Sequence, residues 1–181
     1  VDKTINKNIA LCIYTGILTD TGSFKYPNVS SKTHAIISNL LNYKINHSQI
    51  HQKLFDSQSK SRFKLLSIFM SNLSFLNDEK IAFSFLYESD IKSCNYAKGD
   101  TEGFVNFPLS LSSVKFSAFF VQFEDGIKLS FRSQGKLDVN TFAKKYFNGG
   151  GHKNASGGFF SHKNLIEVLN LFKDKATKLK C

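Results

Sequence analysis

The sequence predicts an α/β protein in which a helical N-terminal region precedes a compact domain built on a mixed sheet. Apolar residues recur at helical spacing as far as Leu73; at Asn77-Asp78 the period changes to alternation, placing Ile81, Phe83, Phe85 and Tyr87 on one face of a strand. Farther on, two strand-like runs, Lys115 to Phe123 and Ile127 to Arg132, flank Glu124-Asp125-Gly126, and an Asp-Gly pair in that position is a strong hairpin signal.

Along the chain, Ile9, Cys12, Ile13, Gly16 and Ile17 fall at helical spacing with largely apolar residues between them, which predicts a deeply buried helix that stops at Thr19-Asp20-Thr21-Gly22. Ser30-Ser31 are good N-caps for a second helix carrying Ala35, Ile36, Leu40 and Leu41. Asn46 caps a third, bearing Ile50 and Leu54, and Phe63, Leu66, Phe69, Met70 and Leu73 form the stripe of a fourth. Beyond the hairpin, Asp138 caps a helix running through Phe147, Gly157 to Phe160 reads as a short strand, and Leu165, Val168, Leu169 and Phe172 mark a closing helix. Internal repeats and low-complexity tracts are absent from the sequence.

With 181 residues and 41% hydrophobic content the chain can bury a sizeable core, and its nineteen Phe are core material. A formal net charge of +10 favours polyanionic partners such as nucleic acids or nucleotides, and is also compatible with a merely soluble basic protein. Cys12, Cys94 and Cys181 are far apart, and Cys12 sits in an apolar run; buried free thiols in a reducing, cytoplasmic compartment are expected. The longest strongly apolar stretch, Ile9 to Leu18, is too short for a membrane span, so no membrane partner is expected. The chain begins at Val1 rather than Met and a helix follows almost at once, so a natural N-terminus upstream is expected.

Several groups can carry chemistry. Asp20 lies between an apolar helix and Gly22, a place where a carboxylate emerges from a rigid support and suits a hard cation; an ordinary Asp turn is the alternative. In Asn148-Gly149-Gly150-Gly151-His152-Lys153-Asn154-Ala155-Ser156-Gly157 three glycines leave backbone N–H groups unobstructed, with His and Lys adding donors, a suitable phosphate cradle. A glycine-rich helix stop with Gly149 as cap is the plainer reading. The run lacks the Gly-Lys-Ser/Thr ending of a P-loop. Arg132-Ser133 ends the hairpin, where an Arg can grip phosphate through two parallel hydrogen bonds. Gly99 to Asn106 is a polar loop entering an apolar run, equally readable as a capped helix start. His47 and His51 have i, i+4 metal-ligand spacing, but without the Glu of a zincin signature a solvated helix face is the default.

Taken in this order, the segments resemble the DHH phosphoesterase superfamily, in its oligoribonuclease and pAp-phosphatase branch. The family's Asp-Thr-Gly-x-Phe is matched by Asp20 to Phe24, Glu-Gly-x-Val-Asn by Glu102 to Asn106, Arg-Ser-x-Gly by Arg132 to Gly135, and Gly-Gly-Gly-His-x-x-Ala-Ser-Gly by Gly149 to Gly157. Asn148 stands where another Gly is usual. The resemblance implies a C-terminal remnant of a DHH catalytic domain over residues 1–45, a helical linker over 46–77 and a DHH-associated substrate-binding domain over 78–181. It implies two manganese ions in the complete enzyme with Asp20 as a catalytic metal ligand. Arg132, Ser133, Gly149, Gly150, Gly151, His152 and Ser156 would bind substrate. The activity implied is hydrolysis of short RNA, as a 3′–5′ exonuclease, and of 3′-phosphoadenosine 5′-phosphate (pAp), in the cytoplasm, with a homodimer left open. The family's other metal ligands precede the equivalent of Asp20, so this chain alone is expected to be a fragment with little or no activity. Two other readings stay open: a nucleotide-binding module without catalysis, and a phosphodiesterase acting on cyclic dinucleotides.

Overall fold

The structure, a computed structural model, describes residues 5–161 and 164–179; Cys181 lies outside them. It divides into two compact units, Val1–Gln58 and Ser59–Cys181. That boundary falls inside the stretch 46–77 read from the sequence as a linker.

The first unit is helical. Helix α1 (Lys7–Asp20) starts at Asn6, whose side chain accepts from the N–H of Ile9, and α2 (Ser31–Leu41) starts at Ser30, which exchanges hydrogen bonds with Thr33. Asn46 caps α3 (His47–His51), which runs on into a single π-helical turn, Gln52–Asp56. One cluster holds the unit together: Ala10, Tyr14 and Leu18 of α1 against Ile37, Leu40, Ile45 and Ile50. The expectation of a deeply buried α1 is corrected here. Its inward stripe is Ala10-Tyr14-Leu18, whereas Ile9, Ile13 and the thiol of Cys12 are exposed. A helix apolar on nearly every side can bury only the stripe that α2 and α3 reach. On α2, likewise, Ile37 and Leu40 are inside and Ile36 and Leu41 outside.

The second unit contains α4 (Lys60–Ser71), β1 (Ser74–Leu76), β2 (Ile81–Leu86), α5 (Glu88–Ser93), a 3₁₀ helix (Phe104–Ser110), β3 (Phe116–Phe123), β4 (Gly126–Ser133), α6 (Val139–Tyr146), β5 (Gly150–His152), β6 (Ala155–Ser161) and α7 (Leu165–Ala176). The strands form one six-stranded sheet in the order β1-β2-β3-β4-β6-β5, with β2 and β3 parallel and every other neighbouring pair antiparallel. The α/β class with a mixed sheet therefore holds. The β3–β4 hairpin pairs Phe123 with Gly126 across Glu124-Asp125, so Gly126, at φ +152°, follows the loop rather than forming its centre.

Two cores lie on opposite faces of the sheet. On one face α6 and α7 pack on Phe116, Phe120, Ile127, Leu129 and Phe131; there the Phe142 ring meets those of Phe131 and Phe172 edge to face, while Phe131 and Phe172 stack nearly parallel. On the other, α4, α5 and the 3₁₀ helix bring Leu65, Phe69, Ile91 and Phe104 onto Phe119 and Val121. Strand β2 lies between both, and Ala82 and Ser84 are as buried as Ile81 and Phe83. Its alternation thus marks a strand with no solvated face. Tyr87 has already left it to begin α5. Of the stripe read on α4, Phe69 is buried, Leu66 and Leu73 are half-buried, and Phe63 and Met70 are exposed; the other fully buried residue of the helix, Leu65, lies outside that stripe. Among the described residues no helix is long and apolar enough to cross a membrane.

Candidate functional site

Strand β4 separates two environments residue by residue. Ile127, Leu129, Phe131 and Ser133 are buried toward α6 and α7; Lys128, Ser130 and Arg132 point to the opposite face. There the helices cover the sheet mainly over β2 and β3, leaving it more open over β4 and β6. The strand register aligns Arg132 with Ala155 and His152, Ser130 with Gly157 and Gly150, and Lys128 with Phe159. A row of minimal side chains thus lies between two rows bearing charged, imidazole and aromatic groups. His152 and Phe159 are exposed and Arg132 is half-buried.

A pinned loop forms one bank of this trough. Asp100 is buried, and its carboxylate accepts from the Ser59 hydroxyl at 2.7 Å and the Ala97 N–H at 2.8 Å. Its carbonyl accepts from the Arg62 guanidinium at 2.9 Å, and that guanidinium lies 4.7 Å from the Phe104 ring centroid. Burial draws Arg62 below its ordinary value, with Asp100 and Glu102 opposing the shift. Gly103 takes φ +81° and opens the 3₁₀ helix, and Glu102 reaches Lys128 at 3.3 Å. Thr101, Glu102, Gly103, Lys128, Ser130 and Arg132 accordingly line a small cleft together with the apolar Val105, Phe119 and Val121. The Arg132 guanidinium donates to the carbonyls of Phe131 at 2.9 Å and Ser156 at 3.5 Å, which fixes it to the strand edges.

The glycine run is not an open loop. Its centre is strand β5, and two of its amides are engaged within the fold: Gly149 N–H donates to Ala143 O at 3.2 Å and Gly151 N–H to Asn140 Oδ1 at 3.0 Å. The glycines are required largely by close backbone approach. A Cβ at 149 would lie 2.0 Å from Gly157 O, and one at 151, where φ is +148°, 2.5 Å from Ala155 O. Only at Gly150 are the nearest atoms, on Lys144 and Asn140, at ordinary contact distance. Asn148, in the place where the resembled family has a further glycine, adopts φ +46°, a conformation Asn tolerates better than most residues.

Ser133 and Ser156, expected at the substrate, are buried on the face opposite Arg132. Ser133 Oγ donates to Leu137 O at 2.7 Å and accepts from Asn154 Nδ2 at 2.9 Å; Ser156 Oγ donates to Val139 O at 2.7 Å. They tie β4 and β6 to the start of α6 and so support the site from behind. The alternation of a strand puts neighbours on opposite faces, and Arg132 took the open one.

Asp20 is the exposed last residue of α1, in the first unit. The turn beyond it is built by Thr21, whose hydroxyl donates to Ile17 O at 2.6 Å and accepts from Phe24 N–H at 3.1 Å, with Gly22, Ser23 and Phe24 all at positive φ. Gly22 makes room for the Tyr26 ring, 2.6 Å from where a Cβ would stand. Among the described residues no group of three or more His, Cys, Asp or Glu side chains could hold a metal ion, His47 and His51 included.

Lys128, Ser130 and Phe159 were not singled out in the sequence, although counting back by two from Arg132 reaches the first two. Nothing local marked Asn140 as the partner of the glycine segment.

Residues 66–178 match the DHHA1 domain family. The bifunctional oligoribonuclease and PAP phosphatase NrnA of Bacillus subtilis (strain 168) is 31% identical over 153 residues, covering 84% of this chain and 48% of that protein. NrnA of Thermus thermophilus is 30% identical over 174 residues, covering 94% and 52%. The crystal structure of an exopolyphosphatase-related protein from Bacteroides fragilis superposes with a TM-score of 0.89 at 41% identity, over 94% of this chain and 50% of that one. The chain therefore spans about half the length of the relatives it matches. With the ordered motifs, the mixed sheet and the family match in agreement, the chain belongs to the DHHA1 domain family and is similar to the NrnA branch of the DHH phosphoesterases over most of its length.

Proposed function

We propose that the protein is a phosphoesterase acting on short oligoribonucleotides and pAp, and that the open face of the second unit holds the substrate. The observation that carries this reading is the alignment of Arg132 and His152 in one row beside the nearly bare row of Ser130, Gly157 and Gly150. The Arg132 guanidinium is held at the strand edges by the carbonyls of Phe131 and Ser156, and a planar guanidinium is the side chain that suits a phosphate's paired oxygens. His152 adds a ring donor at the sheet edge, and the small residues let a sugar-phosphate backbone lie close to the strands. The relatives named above support the same substrate class.

A two-manganese centre does not fit the described residues, because Asp20 has no second and third ligand beside it and hard cations take six or more oxygens. In the proposal the ions belong to the whole protein, with Asp20 as one ligand, 3′–5′ attack on RNA, a cytoplasmic setting and little turnover by this chain alone.

Calorimetric titration of pAp and a 5′-phosphorylated dinucleotide into the chain, beside His152→Ala and Arg132→Ala, tests the binding face. Binding to the wild type that falls at least tenfold in both variants is expected; equal binding by all three would remove the face from the site. In the whole protein, Asp20→Ala abolishes manganese-dependent turnover if the phosphoesterase reading holds, and leaves binding intact.

A further inference from the structure

We propose that Asn140 is a positioning residue for substrate binding, which from the first turn of α6 fixes the backbone that aims His152; the inference rests on the nucleotide-binding reading above. The His152 ring is exposed, and among the described residues no hydrogen bond or ring contact holds it. Where the imidazole stands therefore depends on the backbone on either side of it.

That backbone belongs to β5, an outer strand of the sheet, with β6 on one side and no strand on the other. An outer strand leaves alternate N–H groups without a partner in the ladder. Gly151 is such a residue, and its N–H donates to Asn140 Oδ1 at 3.0 Å. It stands at φ +148°, and glycine has the widest backbone freedom of any residue, so the position before His152 is the one that most needs an external hold. On the other side of His152 the Lys153 carbonyl accepts from Val139 N–H at 2.8 Å, and on β6 the Ser156 hydroxyl donates to Val139 O at 2.7 Å. Val139 and Asn140, the first two residues of α6, thus hold both flanks of His152 and the strand beside it. Within this set Asn140 is the only contact that α6 makes through a side chain, so it can be removed without touching the Asp138 cap or the backbone of Val139. A Gly151 N–H already engaged by Asn140 is not offered to phosphate. At this position the glycine segment serves binding by holding His152 in place, not by presenting its own amide.

Calorimetric titration of pAp into the full chain, Asn140→Ala, His152→Ala and the double variant closes a cycle that reads the coupling of the two residues. Asn140→Ala alone weakens binding about two- to tenfold, the range that one hydrogen bond spans, and speeds hydrogen exchange at the Gly151 amide. In the His152→Ala background the same substitution has no further effect on affinity, which a residue of the fold or a direct ligand contact would not show. Asn140→Asp keeps an acceptor in the same place, and its Gly151 amide exchanges as slowly as in the wild type. Losses that add in the double variant, unchanged binding by Asn140→Ala, or a Gly151 amide as fast in Asn140→Asp as in Asn140→Ala each overturn the positioning role. So does tighter binding by Asn140→Ala, the result if phosphate competes with Asn140 for the amide. An Asn140→Ala chain that no longer melts in one cooperative transition overturns it as well, by making Asn140 a residue of the fold alone. Each of these leaves nucleotide binding by the wild type standing. A wild type that does not bind pAp overturns the nucleotide-binding reading and this inference with it.

Discussion

Gly149 and Gly150 are adjacent and look interchangeable in the sequence, yet the fold asks different things of them. A side chain at 149 would strike the backbone of β6, whereas at 150 there is ordinary contact distance to Lys144 and Asn140. Gly149→Ala therefore destabilises the protein by roughly 1–3 kcal/mol, as overpacking does. Gly150→Ala stays within about 0.5 kcal/mol of the wild type, and any loss of nucleotide binding it shows reports on the site alone. Thermal melts of both variants with pAp titrations separate the two effects. Ser117 poses a different case, a fully buried hydroxyl with no hydrogen-bond partner among the described residues. An unsatisfied buried polar group is costly, so Ser117→Ala should raise stability by about 1 kcal/mol, read as a higher Tm. What the sequence showed at this scale was the residue types. It showed neither the left-handed backbone of Asn148 nor which face Ser133 takes beside Arg132, because both follow from the register of a sheet assembled over distant segments.

Helix α6 links the core to the glycine segment. Asp138 caps it by accepting from the N–H and the hydroxyl of Thr141, both at 3.0 Å, and Val139 N–H then bonds to Lys153 O at 2.8 Å. These hydrogen bonds hold the Asp138 carboxyl below its ordinary value, the backbone bond most of all. A carboxyl whose pKa is lowered on folding stabilises the folded state above its unfolded pKa, and that contribution is lost as pH falls through the lower, folded one. Asp138→Ala should thus lower Tm at neutral pH, and the gap to the wild type should close as pH drops below about 4. A constant gap from pH 7 down to 2.5 would show that the charge plays no part. Elements of this length announce themselves: the Asp138 cap, the β3–β4 hairpin and the 165–176 helix could all be read from period and caps. Strands β1 and β5, three residues each, are too short for any period to appear, and β5 is mostly glycine.

The division of the molecule is set by packing partners rather than by composition. Helix α4 reads as one more amphipathic helix in a helical N-terminal region, and only the structure shows that its Leu65 and Phe69 are fully buried beside Phe104 and Phe119. The rings of Phe69 and Phe119 meet edge to face at 4.9 Å, and Ser84 donates to Phe69 O at 2.6 Å, so α4 closes the second core. A chain cut at residue 78, where the alternation begins, would lose β1 and expose that core. Burying Leu65 and Phe69 alone is worth roughly 1.5–3 kcal/mol each, a large part of the stability of a domain this size. Residues 59–181 should therefore unfold cooperatively in urea, while 78–181 should show a much lower midpoint or no transition. Since Arg132, His152, Lys128 and Phe159 all lie in the second unit, 59–181 should also bind pAp as tightly as the full chain. A tenfold loss of affinity in 59–181 would mean that the residues on the open face of the second unit do not suffice for binding.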